Sequence, residues 1–204
     1  MNTLSIRKSA DVFPIVLALL LMCCSSQVLA HSEVGVAGGL LSGFLHPIFG
    51  PDHLVAMVAV GLWGAQLGSP ATWILPITFP AVMAVGGLLS VAGLSIPLIE
   101  LGISASALAL GAVVAACVKP PLWMAAILVG VFAVFHGHAH GSELPAAVNP
   151  LAYGIGFVVS TGLLHLCGIV IGLLIRWPAG ANAIRLLGAG IAALGAYFVA
   201  MNFV

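Results

Sequence analysis

Two short stretches gather most of the histidines and carboxylates in this sequence, the side chains best suited to hold a metal ion in a membrane segment. The first reads His46-Pro47-Ile48-Phe49-Gly50-Pro51-Asp52-His53. Two imidazoles and a carboxylate are ligands of intermediate hardness, suited to nickel, cobalt, iron or zinc. On an unbroken helix His46 and His53 would share a face but stand about 10.5 Å apart, too far for easy chelation. Pro47, Gly50 and Pro51 argue against an unbroken helix, because proline removes a backbone donor and kinks the chain. A break here would fold the three ligands together and free backbone carbonyls toward a cavity, an arrangement that transporters use.

The second stretch is Phe135-His136-Gly137-His138-Ala139-His140-Gly141-Ser142-Glu143. His136 and His140 are four residues apart and would share a helical face, as would His140 and Glu143 at three; His138 would point elsewhere. Three imidazoles and a carboxylate at the end of an apolar block read as a metal-collecting vestibule at a membrane mouth. Three single residues stand apart. Glu100 opens an apolar block, either as an interfacial acid near the outer surface or as a ligand or proton carrier on a pathway. His165 lies deep in another block, either as a hydrogen-bonded packing residue or on the pathway. His31, where a cleaved chain would begin, could chelate through its amine and imidazole together. Cys117 and Cys167 lie in apolar runs without a CxxC partner and read as small buried hydrophobes.

The elements that position these residues must be membrane helices. Hydrophobic residues make up 62% of the 204 and charged residues 5%, where a soluble domain carries about 25% charged. Mean hydropathy is +1.27, so no fold could cover the apolar surface with polar groups, and lipid must be the solvent. The formal net charge is zero, which offers nothing to nucleic acid. An ionisable group within a membrane span costs about 2.5–3.5 kcal/mol on insertion scales, so the few polar residues are functional candidates by default.

Arg7 and Lys8 precede the apolar run from Val12 to Cys24, and Ser25-Ser26-Gln27-Val28-Leu29-Ala30 follows. That order is a cleavable signal peptide over residues 1–30, leaving a single transmembrane metal-permease domain over 31–204. The apolar blocks after it run approximately Val34–Phe49, Leu54–Leu67, Trp73–Leu94, Glu100–Val118, Leu122–His136, Leu151–Ile175 and Ile184–Phe203. Lys119, Arg176 and Arg185 lie in short connections, which the positive-inside rule places in the cytoplasm. Both mature termini then face the periplasm, and Val34–Phe49 has no room to cross. The expected fold is an all-α polytopic transmembrane bundle of six full spans plus a re-entrant or broken N-terminal half-helix, with seven spans the alternative. Gly35, Gly39 and Gly43 recur every four residues, a pattern that lets helices approach closely in lipid. Pro76 and Pro80 predict a kink in the third block.

The ordered motifs His-Pro-x-x-Gly-x-Asp-His and His-Gly-His-Ala-His-Gly-x-Glu resemble those of the HupE/UreJ family of hydrogenase and urease accessory permeases. The first is also similar to the His-x4-Asp-His signature of larger nickel/cobalt transporters, but it is one residue longer here, which favours the smaller family. The resemblance implies secondary uptake of Ni2+, or Co2+ in some members, across the bacterial inner membrane to supply hydrogenase or urease. It places functional roles on His46, Asp52, His53, His140 and Glu143, and on Glu100 and Phe79 where the family uses an acid and an aromatic. The expected order of events is capture by a periplasmic His136–Glu143 cluster and transfer to an inner site of His46, Asp52 and His53. Protons should compete with the metal for the histidines. The chain lacks a Walker A sequence, so it would not hydrolyse ATP. It also lacks His-Glu-x-x-His and Gly-x-Ser-x-Gly sequences, so no enzyme is expected, and no prosthetic group. The rival readings are a membrane cytochrome, with intramembrane histidines as axial haem ligands, and a membrane metal-binding protein that does not transport.

Overall fold

The computed structural model describes residues 35–142, 144 and 149–204, and among them every regular element is helical. The expected signal peptide, His31 and Glu143 lie outside the described residues. The helices are α1 (Gly35–Phe49), α2 (Pro51–Leu67), α3 (Ala71–Val91), α4 (Ile99–Ala115), α5 (Leu122–Ser142), α6 (Pro150–Gly172) and α7 (Pro178–Met201). A 3-10 turn, Leu173–Arg176, extends α6. Helices suit this composition because lipid offers no hydrogen bonds, and a helix satisfies its backbone within one segment.

Four helical segments are long and apolar enough to cross a membrane: α3, α5, α6 with its 3-10 turn, and α7. The α1–α2 pair passes the same test jointly but is bent by 79°. Helix α4 is apolar and shorter, at 17 residues, or about 25 Å of rise. Large apolar side chains such as Leu88, Leu151 and Leu186 point outward, while polar side chains such as His136, Thr161 and His165 are buried. That inversion of the soluble pattern is what a lipid solvent selects.

The bend follows from its sequence. Proline at the first position of α2 disfavours helical geometry in the preceding residue, and Gly50 is extended, with φ −84° and ψ 103°. The backbone stays paired across the corner: the Gly50 amide donates to the His46 carbonyl at 3.0 Å, and the Leu54 amide to the Gly50 carbonyl at 2.8 Å. The expected broken helix is therefore present. Pro76 and Pro80, in contrast, sit inside a single continuous α3.

Helix α2 lies at the centre, with Ala56, Met57, Val60, Leu62 and Trp63 buried against its neighbours. Helices α2 and α6 meet backbone to backbone, with Gly168 against Val58 and Gly172 against Ala65, so they run parallel. Helices α3 and α5 also run parallel, with Gly137 against Met83 and Gly141 against Ser90. Helices α4 and α7 are antiparallel, with Gly111 against Ala192 and Gly195 against Leu108. Gly39 and Gly43 of α1 press on Asn149, Ala152 and Tyr153 at the start of α6, as their four-residue spacing predicts.

A Cβ at Gly61 would collide with the His165 carbonyl and the Gly168 Cα, whereas one at Gly154 would meet open space. Overpacking of this kind costs about 1–3 kcal/mol. Gly61→Leu should lower the melting temperature of the detergent-purified protein, and Gly154→Ala should leave it nearly unchanged. Equal melting of the two variants would contradict the α2–α6 contact.

Candidate metal site

The bend at Gly50 decides where the first motif points. His46 ends α1, Asp52 and His53 open α2, and the corner brings the two imidazoles to a ring-centroid separation of 5.9 Å. The last turns of α5 deliver the second motif to the same place. The His140 ring lies 4.7 Å from both His46 and His53, and the His136 ring lies 4.9 Å from His53. Four imidazoles from three helices thus form one contiguous group. Helix α6 walls it with Tyr153, 6.1 Å from His46, and Phe157, 4.0 Å from His140. Phe79 of α3 closes the inner side, 5.2 Å from His136.

Local hydrogen bonds set the tautomers. Asp52 Oδ1 accepts from the His53 amide at 2.8 Å and from His53 Nδ1 at 2.9 Å. A carboxylate can only accept, so Nδ1 carries the proton and Nε2 keeps its lone pair. This is the carboxylate–histidine pairing that orients ligands in metal sites. His136 Nδ1 donates to the Phe132 carbonyl at 2.9 Å, which likewise leaves Nε2 with a lone pair. Those two Nε2 atoms, and both ring nitrogens of His140, have no hydrogen-bond partner among the described residues. An unsatisfied buried polar atom costs about 1–3 kcal/mol, so a cluster of them calls for an electrophile to share.

The donors fit a first-row divalent cation in kind, as imidazole nitrogen with one carboxylate. Yet among the described residues no three His, Cys, Asp or Glu side chains converge on a point that could hold an ion. The rings pack edge to face instead, and side-chain rotation would be needed to aim their nitrogens at one centre. The C-terminal ends of α1 and α5 both point at the group, and helix C-termini carry partial negative charge that favours a cation.

The structure revises the two-station expectation. His136, His138 and His140 are buried rather than solvated, so the second motif does not form an open vestibule. It joins the first motif directly, because α5 ends at the level where α1 and α2 bend apart. His138 turns away as its spacing predicted, and its Nε2 donates to the Leu94 carbonyl at 2.7 Å in the α3–α4 connection. Glu100 is exposed in the first turn of α4 and makes no hydrogen bond to the imidazoles. His165 is buried on α6, its ring 5.4 Å from Phe79. Lys119, Arg176 and Arg185 lie in or beside the connections at the other end of the helices. Sequence reasoning passed over Tyr153, Phe157 and Thr161. Their signal was a run at four-residue spacing, Tyr153, Phe157, Thr161 and His165, which marks one inward face of α6.

Residues 19–198 match the sequence profile of the family described as HupE / UreJ protein. Protein HupE of Rhizobium leguminosarum bv. viciae is 45% identical over 169 residues, which cover 82% of this chain and 88% of that protein. No solved structure matches. With its apolar helices and its paired histidine motifs, the chain is a multi-pass membrane protein that belongs to the HupE/UreJ family.

Proposed function

We propose that this chain is a secondary permease that takes up a divalent transition-metal ion, Ni2+ with Co2+ as the alternative, across the inner membrane for hydrogenase or urease. The observation that carries the reading is the meeting of His46, His53, His136 and His140 in one buried group, with lone pairs on His53 and His136 fixed by their hydrogen bonds. The ion loses water as it enters, and neutral imidazoles with the Asp52 carboxylate replace that water. Glu143, which lies outside the described residues, is the second carboxylate that the family resemblance assigns to metal binding. A transport site must also let go. That calls for ligands too few or too mobile to trap the ion.

A haem fits this site less well. Axial imidazoles stand on opposite faces of a macrocycle, whereas these rings touch one another.

The helix directions support six crossings, α2 to α7, because α2 and α6 run parallel, as do α3 and α5, while α4 opposes α7. Helix α1 runs along the first turns of α6 in the same direction as α2 runs along its later turns, which suits the broken half-helix of a single crossing rather than a seventh span. On this reading residues 1–30 are removed and both mature termini are periplasmic. A phosphatase fused after Val204 should then be active, and N-terminal sequencing of the purified chain should begin at His31. An inactive fusion, with an active one in the Lys119 connection, would invert the topology.

Uptake of radioactive nickel in cells lacking other nickel permeases tests the function. His46→Ala and Asp52→Ala should each cut accumulation by at least about tenfold, the scale of losing a ligand or its partner. His138→Ala, which removes one tether to Leu94, should cost about 1 kcal/mol of stability but retain most of the uptake. Wild-type accumulation in both His46→Ala and Asp52→Ala would refute the assignment.

A further inference from the structure

The inward face of α6 continues past the imidazole group. Phe157 touches His140, and Thr161 and His165 follow at four-residue steps on the same face, so His165 lies about 12 Å deeper than Phe157 along the helix axis. His165 is 1% exposed and Thr161 is 0% exposed. The Thr161 hydroxyl has no partner among the described residues, although a helical threonine usually bonds back to a carbonyl three or four residues earlier. Neither nitrogen of His165 has a partner at full hydrogen-bond geometry. A histidine or threonine kept only for packing would have its polar atoms satisfied.

Helix α3 supplies the other wall. The Phe79 ring is fully buried and touches two imidazoles, 5.2 Å from His136 and 5.4 Å from His165, steeply inclined to each. The Pro76 carbonyl lacks its helical donor for a covalent reason: the residue four positions on is Pro80, which has no N–H.

We propose that His165 and the Thr161 hydroxyl form a second, inner station for the divalent cation, with the Phe79 ring in contact with an imidazole of each station. The proposal rests on the permease reading and adds the next step of the route. One imidazole and one hydroxyl bind less strongly than the outer group, so the ion moves inward by exchanging ligands.

The test uses the full chain in proteoliposomes with an entrapped metal-sensing dye and NiCl2 or CoCl2 outside. Binding of Co2+ to the detergent-solubilised protein is followed in parallel by its visible ligand-field bands. His165→Gln and Thr161→Val should bind Co2+ within about twofold of wild type yet import either metal at least about tenfold more slowly, the scale of losing one group around a metal. Thr161→Ser should import at close to the wild-type rate. Wild-type import by both His165→Gln and Thr161→Val overturns the inner station and leaves the permease reading standing. Thr161→Ser as slow as Thr161→Val also overturns it, because shape rather than the hydroxyl would then be at fault. Should His165→Gln fail to fold, Thr161→Val decides, since it gives up no hydrogen bond and almost no volume. Import of neither metal by the wild-type chain removes the permease reading, and the inner station with it.

Discussion

A carboxylate and four imidazoles are held largely out of water where α1, α2, α5 and α6 meet, and the cost of that desolvation constrains everything around them. Hydrocarbon cannot solvate a lone pair, so each polar atom must find a partner inside the protein or carry a penalty. Asp52 meets the demand locally by clamping the amide and the ring of His53. His136 meets half of it through the Phe132 carbonyl. The nitrogens left over are the ones able to bind a cation. Structural economy and chemical readiness therefore come from the same few hydrogen bonds.

The rest of the bundle holds those nitrogens together with few polar ties between helices, among them Gln66 to the Val114 carbonyl and Arg185 to the Ala115 carbonyl. Between helices in lipid the hydrophobic effect supplies little drive, and close backbone packing has to replace it. Glycines provide it along the α2–α6, α3–α5 and α4–α7 contacts. Helix α6 is the common wall: its early turns receive α1 and its later turns receive α2. A broken helix whose two arms rest on one neighbour keeps its corner in place. His46 and His53 are held at the corner itself, and motion there would change their separation directly.

Prolines play two opposite parts. Pro51 opens α2 and pushes Gly50 out of helical geometry, so it makes the corner. Pro80 leaves α3 continuous and only takes away the N–H that would answer the Pro76 carbonyl. In water that carbonyl would be solvated and the loss would matter little. In lipid it has to be answered from within the protein.

The helical class and the lipid solvent were legible from composition, because no other backbone arrangement of so apolar a chain, short of a closed barrel, satisfies its own amides in hydrocarbon. The break at Gly50 was legible from Pro51, and the shared face of His136 and His140 from their four-residue spacing, since both depend only on local geometry. The meeting of the two motifs was not. They lie some eighty residues apart in the chain, and their separation is decided by which helices pack side by side. Periodicity likewise gave no reason to seat Phe79 against both His136 and His165, or to send His138 to Leu94. Local sequence determined which nitrogens face inward on each helix. Only the packing of α5 and α6 against the bent pair decided that those nitrogens face one another, because contacts between distant segments are set by the fit of whole helix faces.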